Sequence, residues 1–299
     1  MKISEYLIPQ LNFESYDYWD KRIYSYFRTC FSCKTCASEC PVNIFTGQLN
    51  PTKIVRLFCL GFEDLLLNSP EIWYCIECGK CSNICPMNVK PHLIIKYARY
   101  KSIKNGIIAA NIIDSISKIY LEFQKIRLQL LNKCVNEEDI PADNLLRNWD
   151  YLAQSVENDK KTSPIEIKEG FKNVVSEYKG IQINNTSCFT CRECSSSCPV
   201  YFNESIFDPV VIFRLFNLGL KDELVFDPML WLCIGCETCT KVCSQGVKGH
   251  LIVKYLKEAA VTSHAVQKNF LLRWNKTQKD LFVCFTQKIN SLIAQSYNK

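Results

Sequence analysis

Sixteen of the 19 cysteines fall into four runs of one spacing, C-x2-C-x2-C-x3-C. The runs are Cys30-Phe-Ser-Cys33-Lys-Thr-Cys36-Ala-Ser-Glu-Cys40, then Cys75–Cys85, Cys188–Cys198 and Cys233–Cys243. Proline follows the first three, at Pro41, Pro86 and Pro199, whereas Ser244 follows the fourth. Three thiolates three residues apart can close over one face of a cubane, and the fourth cysteine completes a neighbouring cluster. This exchange defines four ligand sets. Cys30, Cys33, Cys36 and Cys85 form the first, and Cys75, Cys78, Cys81 and Cys40 the second. Cys188, Cys191, Cys194 and Cys243 form the third, and Cys233, Cys236, Cys239 and Cys198 the fourth. A structural zinc site needs only two C-x2-C pairs, with no third cysteine and no following proline. The spacing therefore predicts four [4Fe–4S] clusters.

Other reactive side chains near these runs have blander readings. Cys59, Cys134 and Cys284 stand outside the motifs and read as inert thiols. His92 and His250 each follow a fourth cysteine by seven residues. With eight thiolates already present for each pair of clusters, they read as hydrogen-bonding or packing histidines. Lys34, Lys80, Arg192 and Lys241 lie inside the motifs. They are either solvated or they raise cluster potentials. At Ser244 the motif gains a backbone N–H and a hydroxyl that proline lacks.

Composition excludes several classes. Nineteen cysteines in 299 residues, spaced this regularly, do not describe a small disulfide-stapled secreted domain. The formal charge of +6 looks mildly basic. Each oxidised four-iron core of +2 with four thiolates, however, contributes about −2, so four of them bring the total to about −2. A nucleic-acid partner loses its main support. No run reaches the roughly 18–20 apolar residues of a membrane span. The opening MKISEYLIPQLNFESYDYWDKR has no signal-peptide core. A cytoplasmic location is expected.

The elements that must position these cysteines read as helices. Residues 1–29 are aromatic-rich and read as a mostly irregular arm ending in a short helix. Between the first two motifs, Asn50-Pro51 opens a helix through Ile54, Leu57 and Phe58 that stops at Gly61. A further turn is expected from Phe62 to Leu67. After the second motif the segment Val89–Tyr97 starts a helix expected to run to about Lys104, and another is expected over 106–134, where apolar residues recur at three and four. Polar residues and the breakers Pro141, Pro164 and Gly170 mark 136–180 as a linker, in which Trp149 and Tyr151 suggest local packing. The tail 256–299 reads as helix, with Phe270, Leu271, Trp274, Leu281 and Phe282 on its apolar side. No alternating strand pattern appears.

The first half then repeats. Every motif cysteine of the second half lies 158 residues after one of the first, and 31 of the 68 positions in 30–97 and 188–255 are identical. They include Pro51/Pro209, Arg56/Arg214, Leu60-Gly61/Leu218-Gly219, Trp73/Trp231 and His92/His250. The reading is an internal duplication. A first dicluster domain with a helical extension occupies 1–135, the linker 136–180, and a second dicluster domain with a helical tail 181–299. The fold class is all-α, two tandem α-helical ferredoxin domains.

The chain shows no Gly-x-Gly-x-x-Gly, no phosphate-binding Gly-x4-Gly-Lys-Ser/Thr and no nucleophile with a matched base. Paired C-x2-C-x2-C-x3-C-P motifs about 45 residues apart, joined by N-P-x2-I-x-R-x-x-x-L-G, resemble the C subunit of heterodisulfide reductase over 30–104 and again over 188–262. The resemblance implies a wire that joins the flavin-containing A and catalytic B subunits within a larger hetero-oligomer. It implies no catalysis by this chain, which lacks the Cys-Cys-Gly motif of the B type. The α-helical ferredoxin fold also serves succinate and glycerol-3-phosphate dehydrogenases. A wire for such a quinone-linked enzyme, or a non-redox metal scaffold, is the alternative. A tandem copy departs from the single-domain pattern of the family.

Overall fold

The computed structural model describes residues 29–138, 144–154, 175–201 and 207–297. The arm expected over 1–29 and the breakers Pro141, Pro164 and Gly170 thus fall almost wholly outside the described residues. Contacts divide the chain into two compact units, Met1–Ile116 with Ile289–Lys299, and Ser117–Lys288. The units do not follow chain order, because most of the helix after the first repeat and most of the last helix belong to the second unit.

In the first unit, α1 (Thr35–Ser38) and α2 (Pro41–Thr46) flank Cys40. Pro41 occupies the first position of α2, where a missing N–H costs no helical hydrogen bond. The proline after the motif thus turns the chain directly into a helix. α3 spans Pro51–Cys59; the Asn50 side chain caps it by accepting from the Lys53 N–H at 3.2 Å. Gly61, at φ 73°, ends it in the left-handed region that glycine enters freely. α4 (Glu63–Leu67) and a 3-10 turn (Pro70–Tyr74) lead into Cys75. α5 (Lys80–Asn83) and α6 (Pro91–Lys104) complete the repeat. α7 (Ile112–Val135) follows. It starts six residues later than the periodicity suggests, because Gly106, at φ 70°, breaks the chain after α6.

In the second unit, α8 (Trp149–Gln154) precedes a hairpin of β1 (Glu177–Tyr178) and β2 (Ile181–Gln182), with Glu177 opposite Gln182. The hairpin departs from the all-helical expectation. Lys179 and Gly180 both have positive φ, at 49° and 78°, as its two-residue turn requires. Tyr178 anchors the hairpin, its hydroxyl bonded to Glu258 and its ring 6.3 Å from Tyr255. The repeat then returns as α9 (Glu193–Ser196), α10 (Pro209–Asn217), α11 (Lys221–Val225), a 3-10 turn (Pro228–Leu232), α12 (Thr238–Lys241) and α13 (Gly249–Thr262). Asp208 caps α10 where Asn50 caps α3, and Asp227 caps the 3-10 turn where Ser69 does. The residue changes and the capping oxygen stays.

Each unit is centred on the same aromatic pair. Phe58 meets Tyr97 edge-on at 5.5 Å, and Phe216 meets Tyr255 at 5.8 Å. Such a pair contributes about 0.5–1.5 kcal/mol beyond its buried area. The second unit adds a layer from α7 and α14 (Phe270–Tyr297), in which Phe123 packs against Phe282 at 4.9 Å and Phe285 at 5.0 Å. Phe270, Trp274, Leu281 and Phe282 are buried as expected. Leu271 is 38% exposed, because one residue along a helix turns the side chain about 100° away from the core. In the linker, Trp149 is fully buried and donates to Glu122 at 2.7 Å, whereas Tyr151 is exposed. Among the described residues no helix is long and apolar enough to cross a membrane.

The repeats differ most tightly at the start of the last repeat helix. A Cβ on Gly249 would lie 2.2 Å from the Phe213 ring. In the first repeat the equivalent positions hold Pro91 and Val55, so the larger ring is matched by the smaller backbone neighbour. Gly249→Ala is expected to destabilise the loaded protein by about 1–3 kcal/mol. Combined with Phe213→Val it should cost less than the two single changes added, because the valine vacates the clashing space. Anaerobic thermal unfolding of both singles and the double measures this; strict additivity would refute the steric explanation.

Candidate iron–sulfur centres

Four pockets gather the motif cysteines. The first, of about 360 Å³, is lined by Cys30, Cys33, Cys36 and Cys85. The second, about 330 Å³, is lined by Cys40, Cys75, Cys78 and Cys81. Cys198, Cys233, Cys236 and Cys239 line another of about 400 Å³. The remaining pocket, about 380 Å³, is lined by Cys188, Cys191, Cys194 and Cys243, with Cys239 also at its wall. Each pocket therefore joins three cysteines of one motif to the last cysteine of its partner motif. Cys59, Cys134 and Cys284 line none of these pockets. Among the described residues no three His, Cys, Asp or Glu side chains converge closely enough for a single metal ion.

The local backbone explains how four short runs become four bowls. In each motif the second cysteine stands between two residues of positive φ. Ser32 and Lys34 flank Cys33, and Glu77 and Gly79 flank Cys78. Thr190 and Arg192 flank Cys191, and Gly235 and Glu237 flank Cys236. Six of these eight residues are not glycine, and each left-handed residue of that kind costs roughly 1–2 kcal/mol. The curl points all three thiols of the run to one side, and it persists only if something inside the curl compensates. No ordinary turn preference of Lys, Glu or Thr signals it in the sequence.

The thiols are also in an unfavourable electrostatic setting. Burial pushes Cys40 and Cys198 up to about 12, and the nearby Cys75 and Cys233 thiolates add to the rise. Burial pushes Cys194 up to about 11. Cys81 and Cys239 are driven higher still, by burial first and by the other thiolates of their pockets second. Only a cation can hold such groups as thiolates near neutral pH, which is the donor chemistry of an iron–sulfur core. Cys33 is the opposite case: it is exposed, and the Thr35 hydroxyl 3.3 Å away lowers it.

Smaller donors differ between the repeats. The Thr52 hydroxyl lies 3.1 Å from Cys36 Sγ, and Val210 replaces that threonine in the second repeat. Backbone N–H groups of Glu77 and Gly235 approach Cys75 and Cys233 sulfurs at 3.4 Å each. His92 lies at the wall of the second pocket, its Nδ1 bonded to the Ser82 hydroxyl; His250 does the same with Thr240 at 2.6 Å. Burial lowers His92 to about 4 and lowers His250 as well, so both rings are neutral near pH 7. Of the cations inside the motifs, Lys80 pairs with Glu39 at 2.7 Å and Arg192 with Asp208 at 2.9 Å. Ser244 is exposed on a turn.

Sequence reasoning missed one class of residue, the cations behind the pockets, buried at Arg99 and Arg127 and half-buried at Lys257. Arg99 donates to the Cys75 carbonyl at 2.6 Å, and Lys257, 158 residues later, donates to the Cys233 carbonyl at 2.8 Å. Extending the repeat comparison a few residues past Tyr97 and Tyr255 brings this pair into view. Arg127 lies outside the repeat and carries no such signal.

Comparison with known proteins agrees with this geometry. Models of 4Fe-4S dicluster domains match residues 29–90 and 184–247. A protein of Archaeoglobus profundus named as like the heterodisulfide reductase C subunit is 30% identical over 91 residues, 30% of this chain and 48% of that one. The iron-sulfur C subunit of CoB–CoM heterodisulfide reductase from Methanopyrus kandleri is 29% identical over 133 residues, 44% and 61% of the two chains. The corresponding C 2 protein of Methanocaldococcus jannaschii is 37% identical over 79 residues, 26% and 41%. The match spans less than two thirds of each of these relatives. No solved structure matches significantly. The chain is mostly helical, matches 4Fe-4S dicluster domains in two regions, and is similar over part of its length to C subunits of heterodisulfide reductase.

An exchange of fourth cysteines would make an unusual demand on mutants. Cys40→Ala should perturb the cluster of Cys75, Cys78 and Cys81, removing up to about four iron atoms, and leave the signal of the Cys30, Cys33 and Cys36 cluster intact. Electron paramagnetic resonance of the reduced variant reads this. Loss confined to the Cys30 run would show that the motifs pair differently.

Proposed function

We propose that this iron–sulfur protein is the electron-transfer subunit of a heterodisulfide-reductase-type complex. It carries four [4Fe–4S] clusters, held by the four cysteine quartets that line the pockets. It relays electrons between the flavin-containing and the catalytic heterodisulfide-reductase-type subunits of that complex, in the cytoplasm. The two dicluster domains are the duplicated copies at 1–135 and 181–299, joined by 136–180.

The observation that carries this reading is the contrast of exposure within each repeat. One pocket has an exposed ligand, Cys33 or Cys191, beside a phenylalanine that is 60% exposed, Phe31 or Phe189. The other is walled by cysteines that are buried, Cys78 and Cys81 in one copy and Cys236 in the other. Each copy thus pairs an accessible cluster with an enclosed one. In the first copy Cys36 and Cys40 of one motif reach both pockets across a single helical turn, on the order of 6 Å of chain. That is the arrangement a relay needs, with one site open to a partner and the next a short step inward. The bound clusters supply one-electron redox chemistry. The chain supplies insulation, spacing and charge.

Anaerobic purification from the native organism tests the reading. The chain should co-elute with a flavoprotein and with a cysteine-rich catalytic protein, and its visible absorption should bleach reversibly with dithionite. Co-elution with a quinone-linked dehydrogenase instead would reassign the wire, and failure to bleach would leave only a structural metal scaffold.

A further inference from the structure

Arg127 is 1% exposed, among the most deeply buried charged side chains described. It extends from α7, outside the duplicated region. Its Nη1 donates to the Leu232 carbonyl at 2.6 Å, one residue before Cys233. Its Nε and Nη2 donate to Gln278 Oε1 at 3.2 and 2.8 Å, and its guanidinium lies 5.6 Å from the Trp274 ring centre. All of these partners are neutral, and among the described residues no carboxylate forms an ion pair with it. A buried charge without a counter-charge is costly. Apart from the Tyr120 hydroxyl, the thiolates of Cys233 and Cys198 are the groups whose negative field reaches it, and both line one pocket.

The equivalent pocket of the first copy is arranged differently. There the buried cation is Arg99, which donates to the carbonyls of Ile72, Trp73 and Cys75. The Glu77 carboxylate, 42% exposed, meets it at 2.7 Å and also meets Lys96 at 2.9 Å. In the second copy Gly235 stands where Glu77 does, and Lys257 stands where Arg99 does. Lys257 keeps the bond to the first cysteine's carbonyl, and Arg127 is added. Glu237, beside Cys236, is an acidic group at this site; its side chain is 30% exposed and 3.8 Å from His250. Water screens a partly exposed carboxylate far more than it screens an arginine in the core.

We infer that Arg127 is the buried counter-charge of the cluster held by Cys198, Cys233, Cys236 and Cys239, and that it makes this cluster easier to reduce than it would be without that charge. Reduction adds one negative charge to the site. A fixed cation in a low-dielectric setting favours that step. Arg127 acts through the field alone and is a positioning residue for charge, not a ligand.

The inference rests on the four-cluster reading, and the test separates the two. Full-length anaerobic protein is titrated with dithionite and followed by electron paramagnetic resonance. The relevant signal is assigned by its loss in Cys239→Ala. Arg127→Met, which keeps volume and removes charge, should shift the reduction equilibrium of that one cluster at least tenfold toward the oxidised form, about 59 mV for one electron. Arg127→Lys should stay close to the parent. If Arg127→Met does not load its clusters, Gln278→Glu gives the same information. It sets a carboxylate on the guanidinium in place of a neutral amide, and the same cluster should again become harder to reduce. Loaded variants with unchanged potentials, or all four potentials moving together, overturn the role of Arg127. A parent protein without four-iron signals overturns the underlying reading instead.

Discussion

The structure depends on holding four thiolates close together at each site, all but Cys33 and Cys191 at least partly out of water. Left to themselves, the thiols of Cys40, Cys81, Cys198 and Cys239 would keep their protons, because burial and mutual repulsion both oppose the charge. The backbone around each motif is also bent into left-handed conformations that Ser32, Lys34, Glu77, Thr190, Arg192 and Glu237 adopt at a cost. Both penalties are recovered only when a multinuclear cation sits inside the curl. Binding free energy of this kind is folding free energy, so the fold and the cofactor are one equilibrium. The helices are short accordingly: α1, α5, α9 and α12 have four residues each, too few to be stable alone.

The duplicated copies show which features that equilibrium requires. The caps at Asn50 and Asp208, the edge-on pairs Phe58–Tyr97 and Phe216–Tyr255, and the histidine–hydroxyl bonds of His92 and His250 recur with different neighbours. Features that differ lie in the field around the clusters. Thr52 gives way to Val210, Glu77 to Gly235, and Arg99 to Lys257. Much of the scaffold is retained, apart from the Gly249–Phe213 packing that replaces Pro91 and Val55, while charge and hydrogen bonding around the cysteines diverge.

Much of this was legible in the residues. Motif spacing, the helices at 51–59, 63–67 and 91–104, and the offset of 158 could be read because they rest on local rules: proline at a helix start, glycine at its end, apolar recurrence at three and four. The hairpin at 177–182 was not, because two residues per strand cannot show alternation. The late start of α7 and the exposure of Leu271 escaped for a related reason, since a periodic pattern does not fix its own ends. The buried cations Arg99 and Arg127 escaped because a charged residue in a helix reads as solvated until its neighbours are known. The compact units, which assign α7 largely to the second unit, reflect tertiary contacts that no segment-by-segment reading contains.

The central claim is that each duplicated copy wraps two four-iron clusters by exchanging its fourth cysteines. Iron and acid-labile sulfide, measured on anaerobically purified full-length chain, test it most directly. Four such clusters require about 16 of each per chain. A value near eight, or zinc in place of iron, would contradict it.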